Sequence, residues 1–188
     1  MKKLDLGCGE RKKEGYVTLD FRPEVNPDIV HNLNVFPYPF PDSYFDVIEA
    51  SHVLEHLDRP FLVMKELHRI LKPGGRLIIK VPHFSRGFTH AEHTHGFDVT
   101  FPSYFRKGFT ESGIVQVEFE LKKLELHWLA FAYLLPYFGY GRLLIGILKS
   151  VSAVISRLAN LSPNFCSRIW CFWVGGFEEI EFEFICKK

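Results

Sequence analysis

The sequence lacks the features that mark several large classes of protein. Its 188 residues carry 23 Lys and Arg against 22 Asp and Glu, and a general nucleic-acid binder needs a clear excess of basic residues. The four cysteines form no C-x-x-C pair, so a disulfide framework is not expected. The first residues lack the apolar core of a signal peptide. We therefore expect a cytoplasmic protein with no nucleic-acid partner, folded as one domain over residues 1–188.

Acidic residues are missing from one long segment, residues 126–177. All three tryptophans lie in this segment, together with four basic residues, Arg142, Lys149, Arg157 and Arg168. The rest of the chain has 19 basic and 22 acidic residues. Within the segment, apolar residues recur with helical spacing over residues 142–158. We predict a basic, aromatic, helical insert or lid between the last two strands.

Three roles are open for residues 126–177. The helix could pack on the core as an insert or lid, lie on an anionic membrane surface with Trp and Tyr at the headgroups, or form the face of a homodimer. A membrane-spanning helix is not expected, because a proline, glycines and Arg142 interrupt the apolar run.

The order of apolar runs predicts an α/β fold. We expect strands at residues 2–6, 16–20, 28–30, 45–50, 76–81, 115–126 and 179–186, and helices at residues 61–71, 102–112 and 142–158. Strands that alternate with helices indicate a mostly parallel central sheet with helices on both faces. The strict alternation of residues 179–186 predicts that the last strand is antiparallel.

A glycine turn and an acidic residue follow the first two strands. The first strand ends in Leu-Asp-Leu-Gly-Cys-Gly at residues 4–9, and two glycines allow a ligand to approach the backbone closely. Asp20 ends the second strand, where a carboxylate can accept hydrogen bonds from the ribose hydroxyls of an adenosine ligand. Lys12 stands where the dinucleotide fingerprint has its third glycine, which disfavours NAD or FAD.

Four motifs in this order resemble the class I S-adenosylmethionine-dependent methyltransferases, specifically their small type 11 (UbiE-like) group. The motifs are LDLGCG at residues 4–9, VTLD at 17–20, PFPDSYFDVIEASHVLEHL at 39–57 and ELHRILKPGGRLIIKVPH at 66–83. The resemblance implies a Rossmann-like methyltransferase fold and S-adenosylmethionine as cofactor.

The resemblance also implies a set of cofactor-binding residues. Asp5, Gly7, Cys8 and Gly9 would lie around the methionyl part of the cofactor, and Asp20 would bind the ribose. Asn32 and Leu33 would contact the adenine, and Ser51 and His52 would lie near the sulfonium. Asn32 stands where the family commonly has Asp. In the SHVLEHL motif, Glu55 and His56 are expected to be structural.

Histidines crowd into residues 83–95 after the fifth strand. We predict that His83, His93 and His95 act in substrate binding or as a general base, since a neutral imidazole can take a proton as the methyl group arrives. A metal site built from His90, His93, His95 and Asp98 is the alternative, as is a packing role. Zinc-binding spacing is missing and methyl transfer does not require a metal, so we predict no bound metal.

These observations predict a methyltransferase that acts on a small-molecule or lipid-linked acceptor. Peripheral membrane contact or homodimer formation through residues 126–177 is part of this hypothesis. The alternative is a non-catalytic, membrane-associated module that binds S-adenosylmethionine with the same fold.

Overall fold

Seven strands form a single mixed sheet in the computed structural model, which describes residues 1–87 and 90–188. The strands are β1 (Lys3–Leu6), β2 (Val17–Asp20), β3 (Ile29–Val30), β4 (Phe45–Ser51), β5 (Leu71–Pro82), β6 (Glu118–His127) and β7 (Glu179–Lys187). Their order in the sheet is β3-β2-β1-β4-β5-β7-β6. The first five strands are parallel, and β7 runs antiparallel to both of its neighbours. The predicted mostly parallel sheet with an antiparallel last strand is confirmed.

Four α-helices and six 3₁₀ turns connect the strands within the described residues. The α-helices are α1 (Pro60–Ile70), α2 (Phe84–Gly87), α3 (Arg142–Ala159) and α4 (Pro163–Arg168). The 3₁₀ turns are Pro23–Val25, Leu54–His56, Phe101–Phe105, Ser112–Ile114, Leu135–Phe138 and Trp170–Phe172.

Two local predictions differ from the structure. The helix expected over residues 102–112 is instead two separate 3₁₀ turns, because Gly108 between them has a φ of +85° that a helix cannot contain. The Lys-Pro-Gly-Gly run at residues 72–75, which lies between the predicted helix and the strand predicted at residues 76–81, is part of β5. Pairing with β4 shifts register there, between Leu71 and Arg76, and Gly74 supplies a φ of +75°.

The two faces of the sheet differ in chemistry. On one face, buried apolar residues lie in register across neighbouring strands, such as Leu6, Ala50, Ile79 and Phe182. Buried side chains of α1 belong to the same core: Val63, Met64, Leu67 and Ile70. The opposite face carries ion pairs, Lys13–Glu49 at 2.6 Å, Lys80–Glu181 at 2.9 Å and Arg76–Glu183 at 2.8 Å. The main hydrophobic core therefore lies on one side of the sheet.

Residues 128–178 connect β6 to β7 and carry α3 and α4. Asn160, directly after α3, fastens the helix to the edge strand, because its side chain accepts from Leu126 N at 2.8 Å and donates to Leu126 O at 3.0 Å. Ser152 and Ala159 are buried on the inner side of α3. The outer side is apolar and exposed, with Leu143, Leu144, Ile147, Val151, Val154 and Leu158 at the surface.

This exposure disfavours the alternative in which the apolar side of α3 packs on the core. No helix in the described ranges, residues 1–87 and 90–188, has the length and apolar character needed to cross a bilayer.

Candidate active site

The reversal of strand order lies between β1 and β4. From β1 the sheet extends through β2 and β3 on one side and through β4 and β5 on the other. Loops at the carboxyl ends of β1 and β4 therefore diverge and leave a crevice, the usual ligand position in open parallel sheets. A cavity of about 670 Å³ lies at this end of the sheet, within the roughly 300–1,000 Å³ typical of small-molecule sites.

Gly7 begins the loop after β1 and packs against the opposite wall. Its φ is +65°, and its N–H donates to Leu19 O at 2.8 Å. A Cβ at this position would overlap Val53 Cγ2 and lie 3.2 Å from Val53 Cγ1. Both the backbone angle and the close approach therefore require glycine at residue 7.

Asp20, at the end of β2, is buried and held as a carboxylate. Gly9 N donates to its Oδ2 at 2.9 Å, and Arg22 N donates to its Oδ1 at 3.0 Å. Burial by itself would raise the pKa of Asp20, but these two N–H groups and the Arg22 guanidinium together lower it below its usual value. Asp20 Oδ1 also accepts from Arg22 Nε at 3.3 Å, whereas Oδ2 keeps a further lone pair, so Asp20 can still accept a hydrogen bond from a ligand.

Asn32 and Leu33 line the side of the cavity beyond β3. The Asn32 side chain closes a local turn by accepting from Asn34 N at 2.9 Å, and Asn34 Oδ1 accepts from Asp58 N at 3.0 Å. Leu33 is buried, and its carbonyl accepts from Tyr38 OH at 3.0 Å. These contacts hold the predicted adenine-side residues in a defined turn.

His52 stands directly after β4 with a φ of +54°. Its Nε2 lies 2.8 Å from Glu179 Oε2 and its Nδ1 lies 3.4 Å from Glu55 Oε1. Burial would lower the pKa of His52, but the two carboxylates outweigh burial and raise the pKa to about 9. In this arrangement the imidazole is a cation that joins β4 to the antiparallel strand β7.

The structure brings together five of the nine predicted cofactor-binding residues along the cavity: Gly7, Asp20, Asn32, Leu33 and His52. The other four adjoin it without lining it. Gly9 donates a hydrogen bond to Asp20, which lines the cavity. Cys8 is buried, and Ser51 is the last residue of β4. Asp5 points to the charged face of the sheet, where Lys13 Nζ lies 3.5 Å away, and burial raises its pKa.

Several lining residues were not among the predicted cofactor-binding residues: Phe21, Arg22, Asn34, Val53, His56, Leu57, His90 and Glu92. Three of them, Phe21, Asn34 and Val53, directly follow a predicted residue in the chain, and that adjacency was the available signal. His90 and Glu92 had no such signal, because only the folded chain returns residues 90–92 to this wall.

The three histidines predicted to be catalytic lie in three different environments. His83 is fully buried, with Nδ1 2.6 Å from Ser85 Oγ and Nε2 2.8 Å from Ser167 Oγ. Both ring nitrogens are thus hydrogen-bonded within the protein, and the catalytic role of His83 stays a prediction. Burial lowers its pKa to about 4.

His93 and His95 are both half-buried. His93 stacks on His90, with ring centroids 4.7 Å apart, and thus adjoins the cavity wall. His95 lines a neighbouring cavity with Asp98 and Phe101. Of the three histidines, His93 therefore lies beside the crevice, and its catalytic role stays a prediction.

The segment between β6 and β7 reaches this end of the sheet. The Phe131 ring lies 4.9 Å from the His52 ring, and the Arg11 guanidinium lies 4.5 Å from the centre of the Tyr133 ring. Phe131 N and Ala130 N both donate to Glu178 Oε2, which fixes the start of the segment. The segment thus contacts both the loop after β1 and the end of β4.

Known proteins that resemble this chain in sequence are methyltransferases. Residues 4–79 match the family described as "Methyltransferase domain", type 11. An uncharacterised methyltransferase of Schizosaccharomyces pombe is 40% identical over 47 residues, 25% of this chain and 17% of that protein. A demethylmenaquinone methyltransferase of Lysinibacillus sphaericus is 33% identical over 73 residues, 39% of this chain and 27% of that protein. The chain matches less than half the length of these relatives.

Solved structures share the fold at low sequence identity. A SAM-dependent methyltransferase from Archaeoglobus fulgidus aligns over 98% of this chain and 85% of its own, with a TM-score of 0.60 and 16% identity. A putative sarcosine dimethylglycine methyltransferase from Galdieria sulphuraria aligns over 99% and 77%, with a TM-score of 0.58 and 15% identity. Residues 4–79 thus match the type 11 methyltransferase domain family, and the chain has the Rossmann-like fold that these solved methyltransferases share.

Proposed function

We propose that this chain transfers a methyl group from S-adenosylmethionine to a lipid-linked acceptor at a membrane surface. The observation that carries the cofactor part of the proposal is the junction of Gly7, Gly9 and Asp20 at the reversal of strand order. The Gly7 backbone packs so closely on Val53 that any side chain there would overlap it, and the Asp20 carboxylate is fixed to the same glycine loop.

The residues around the crevice fit an adenosine-containing cofactor. Asp20 would accept a hydrogen bond from the ribose hydroxyls with the remaining lone pair of Oδ2. Asn32 and Leu33 line the far side of the cavity and would flank the adenine, whereas Gly7 and His52 line the near side and would flank the methionyl part. S-adenosylmethionine supplies a methyl group that its positive sulfur already activates.

The chain's own contribution to such a transfer is positioning and exclusion of water. His52 and Glu179 join β4 to β7 at the end of the crevice, and Phe131 packs on the His52 ring. The acceptor would enter the crevice between the group formed by His52, Glu179 and Phe131 on one side and residues 90–93 on the other. His93 is the predicted residue placed to take a proton from an acceptor there.

The surface of residues 128–178 supports a lipid-linked acceptor. Exposed apolar side chains continue from α3 into its neighbouring turns, and we call this set the apolar ridge: Tyr137, Phe138, Leu143, Leu144, Ile147, Val151, Val154, Leu158, Leu161, Phe165, Ile169, Phe172 and Trp173. Its members on α3 share one side of the helix, and large exposed apolar patches on monomeric proteins commonly mark a site for a partner or a membrane.

The charges near the apolar ridge favour an anionic membrane as that partner. Arg142, Lys149 and Arg157 are exposed on α3, and residues 126–177 contain no acidic side chain. An amphipathic helix with basic residues and aromatic neighbours is typical of helices that lie in the lipid interface. The relatives named as demethylmenaquinone methyltransferases also support a lipid-linked acceptor.

Two measurements test the proposal. Isothermal titration with S-adenosylhomocysteine tests the cofactor site, with NAD as a control ligand that we expect not to bind. Flotation with vesicles of phosphatidylcholine, with or without phosphatidylglycerol, tests the membrane contact, and we expect binding that increases with phosphatidylglycerol. Absence of S-adenosylhomocysteine binding would contradict the cofactor assignment.

The rival functions give different results in the same assays. Cofactor binding without release of S-adenosylhomocysteine in the presence of a membrane extract would favour the non-catalytic binding module. A concentration-dependent dimer in light scattering, with no vesicle binding, would instead assign the apolar ridge to a second copy of this chain.

A further inference from the structure

A carboxylate and two imidazoles converge beside the crevice. One potential metal-ligating atom from each of Glu55, His56 and His93 lies within 4.8 Å of the others. Glu55 is fully buried, and neither of its carboxylate oxygens has a hydrogen-bond partner in the part of the chain that the structure describes. Its nearest cationic group is His52 Nδ1 at 3.4 Å. A buried carboxylate without hydrogen bonds is costly, and a bound cation would remove that cost.

The hydrogen bonds of the two imidazoles select the nitrogen that could bind a metal. His56 Nδ1 lies 3.2 Å from Glu92 O, and His93 Nδ1 is hydrogen-bonded to Gly87 O. Because a carbonyl oxygen only accepts, each neutral ring carries its proton on Nδ1 and keeps the lone pair on Nε2. Metal-binding histidines are commonly oriented by such a bond from the other ring nitrogen to a backbone carbonyl.

Two chain segments are fastened together at this cluster. Glu55 and His56 lie in the 3₁₀ turn after β4, whereas His93 follows in the chain only after β5 and α2. Thr94 N and Thr94 Oγ1 both donate to the backbone oxygen of Glu55, at 2.9 and 3.0 Å. These bonds hold His93 next to Glu55, so the three donor groups are brought together by the fold and not by a local sequence motif.

We propose that Glu55, His56 and His93 bind one divalent transition-metal ion of the zinc class. Two imidazole nitrogens and one carboxylate oxygen suit zinc, whereas calcium and magnesium prefer sites made of oxygen atoms alone. His56 Nε2 is already 4.0 Å from Glu55 Oε1. Ligands of a tetrahedral zinc lie about 3.3 Å apart, so side-chain rotations must bring the donor atoms closer by up to about 1.5 Å.

This site differs from the metal alternative considered from the sequence. Of the residues in that alternative, only His93 belongs to the cluster, because His95 and Asp98 line the neighbouring cavity. Three protein ligands leave a fourth position on zinc for water or an oxygen atom of a ligand. His56 also lines the crevice, so that position would face the cavity.

The experiment is a metal titration of the tag-free chain after dialysis against a chelator. We expect one Zn²⁺ to bind per chain, and Co²⁺ to give the visible absorption of a tetrahedral site. His56→Ala and His93→Ala should each weaken Zn²⁺ binding at least about tenfold. His68→Ala is the matched control, because His68 lies near the end of α1 and is hydrogen-bonded to Lys187 O, and it should bind Zn²⁺ as the parent does.

Circular dichroism establishes that each variant is folded, and His93→Ala is the safer variant because His93 lies outside the helices and strands. Absence of Zn²⁺ binding by the parent chain would overturn the proposal. Equal affinity in the parent, His56→Ala and His93→Ala would overturn it as well, since the metal would then bind elsewhere. The titration contains no S-adenosylmethionine, so its result is independent of the proposed methyl transfer.

Discussion

Asp20 Oδ2 accepts the backbone N–H of Gly9 at 2.9 Å and thereby joins the loop after β1 to the end of β2. The same carboxylate holds Arg22 through its other oxygen. This relationship explains why an acidic residue belongs at the end of the second strand even before a cofactor is considered. It fixes the glycine loop, and it presents a charged acceptor at the mouth of the crevice.

Replacing Asp20 should therefore affect both cofactor binding and stability. For Asp20→Ala we expect loss of S-adenosylhomocysteine binding, and a drop of about 1–3 kcal/mol in the free energy of unfolding because Gly9 N and Arg22 N lose their acceptor. Isothermal titration and urea unfolding measure the two effects.

Asp28→Ala is the matched control for Asp20. Asp28 also accepts a backbone N–H, from Thr18 at 2.8 Å, but it does not line the cavity. The Asp28→Ala variant should therefore be less stable than the parent but bind S-adenosylhomocysteine with the same affinity. Unchanged binding in Asp20→Ala would show that this carboxylate does not contact the ribose.

Gly7→Ala should be more damaging than the same change at Gly15. Both residues have a positive φ, +65° and +76°, which costs a non-glycine residue about 1–2 kcal/mol. Only at Gly7 would the added Cβ also meet Val53, because nothing lies within 4 Å of a Cβ at Gly15. We expect an additional loss of about 1–3 kcal/mol from overpacking, measured by urea unfolding.

The double variant Gly7→Ala with Val53→Ala isolates the cause. Removing the Val53 methyl groups should recover part of the extra loss, because the overlap is gone while the strained φ remains. If Gly7→Ala and Gly15→Ala are equally destabilised, close packing against Val53 does not explain the glycine.

The buried His83 should make stability depend on pH. Burial lowers its pKa to about 4 in the folded chain, whereas an unfolded histidine has a pKa near 6.5. The unfolded state therefore binds the proton first as the pH falls, and stability that is present above pH 6.5 is lost between about pH 6.5 and pH 4. A shift of this size corresponds to about 3 kcal/mol in the free energy of unfolding.

Comparison with His83→Gln separates this group from others that titrate in the same range. At pH 7 the parent should be the more stable of the two, since Gln cannot reproduce both hydrogen bonds to Ser85 and Ser167. The stability difference should shrink by about 3 kcal/mol as the pH falls to 4. A difference that stays constant with pH would mean that His83 can accept a proton in the folded chain.

Substitutions on α3 should weaken membrane binding without unfolding the chain. Ile147 and Val151 are exposed, so Ile147→Asp and Val151→Asp should change the free energy of unfolding by no more than about 0.5 kcal/mol. Each should reduce binding to anionic vesicles about tenfold or more, because burial of an aliphatic side chain contributes roughly 1.5–3 kcal/mol.

Ile114→Asp is the control for these variants, since Ile114 is equally exposed but lies outside residues 126–177. It should bind vesicles as the parent does. Equal loss of vesicle binding in all three variants would indicate a general charge effect, and no loss in any of them would place the membrane contact elsewhere.

Much of the fold follows from patterns that act over a few residues. The strands at residues 45–51 and 179–187 are found because alternation or continuous apolar character is local. The glycine loop and Asp20 are found for the same reason, since both occupy fixed positions relative to a strand end. Prediction fails at residues 102–112, where helical spacing is present but Gly108 interrupts the backbone.

In the candidate site, too, local sequence patterns predict some residues and only the folded chain shows others. Gly7, Asp20 and His52 each directly follow or end a strand, so their convergence follows from a parallel sheet. His52 and Glu179 pair although they are 127 positions apart in the chain, so no local sequence pattern predicts this contact. His83 and His93 have the same residue type and lie close in the chain, yet the first is fully buried between Ser85 and Ser167 and the second is half-buried beside the crevice.

The missing acidic residues of segment 126–177 were visible in the sequence, and so was the amphipathic pattern of its helix. Amphipathic spacing fixes which residues share a side of α3, because the helical repeat is a property of the backbone. It does not fix whether that side turns inward, because this depends on what the rest of the chain offers for burial. Asn160 pairs with the backbone of Leu126 and turns Ser152 and Ala159 toward the protein. That the apolar side of α3 is exposed is therefore seen only in the tertiary structure.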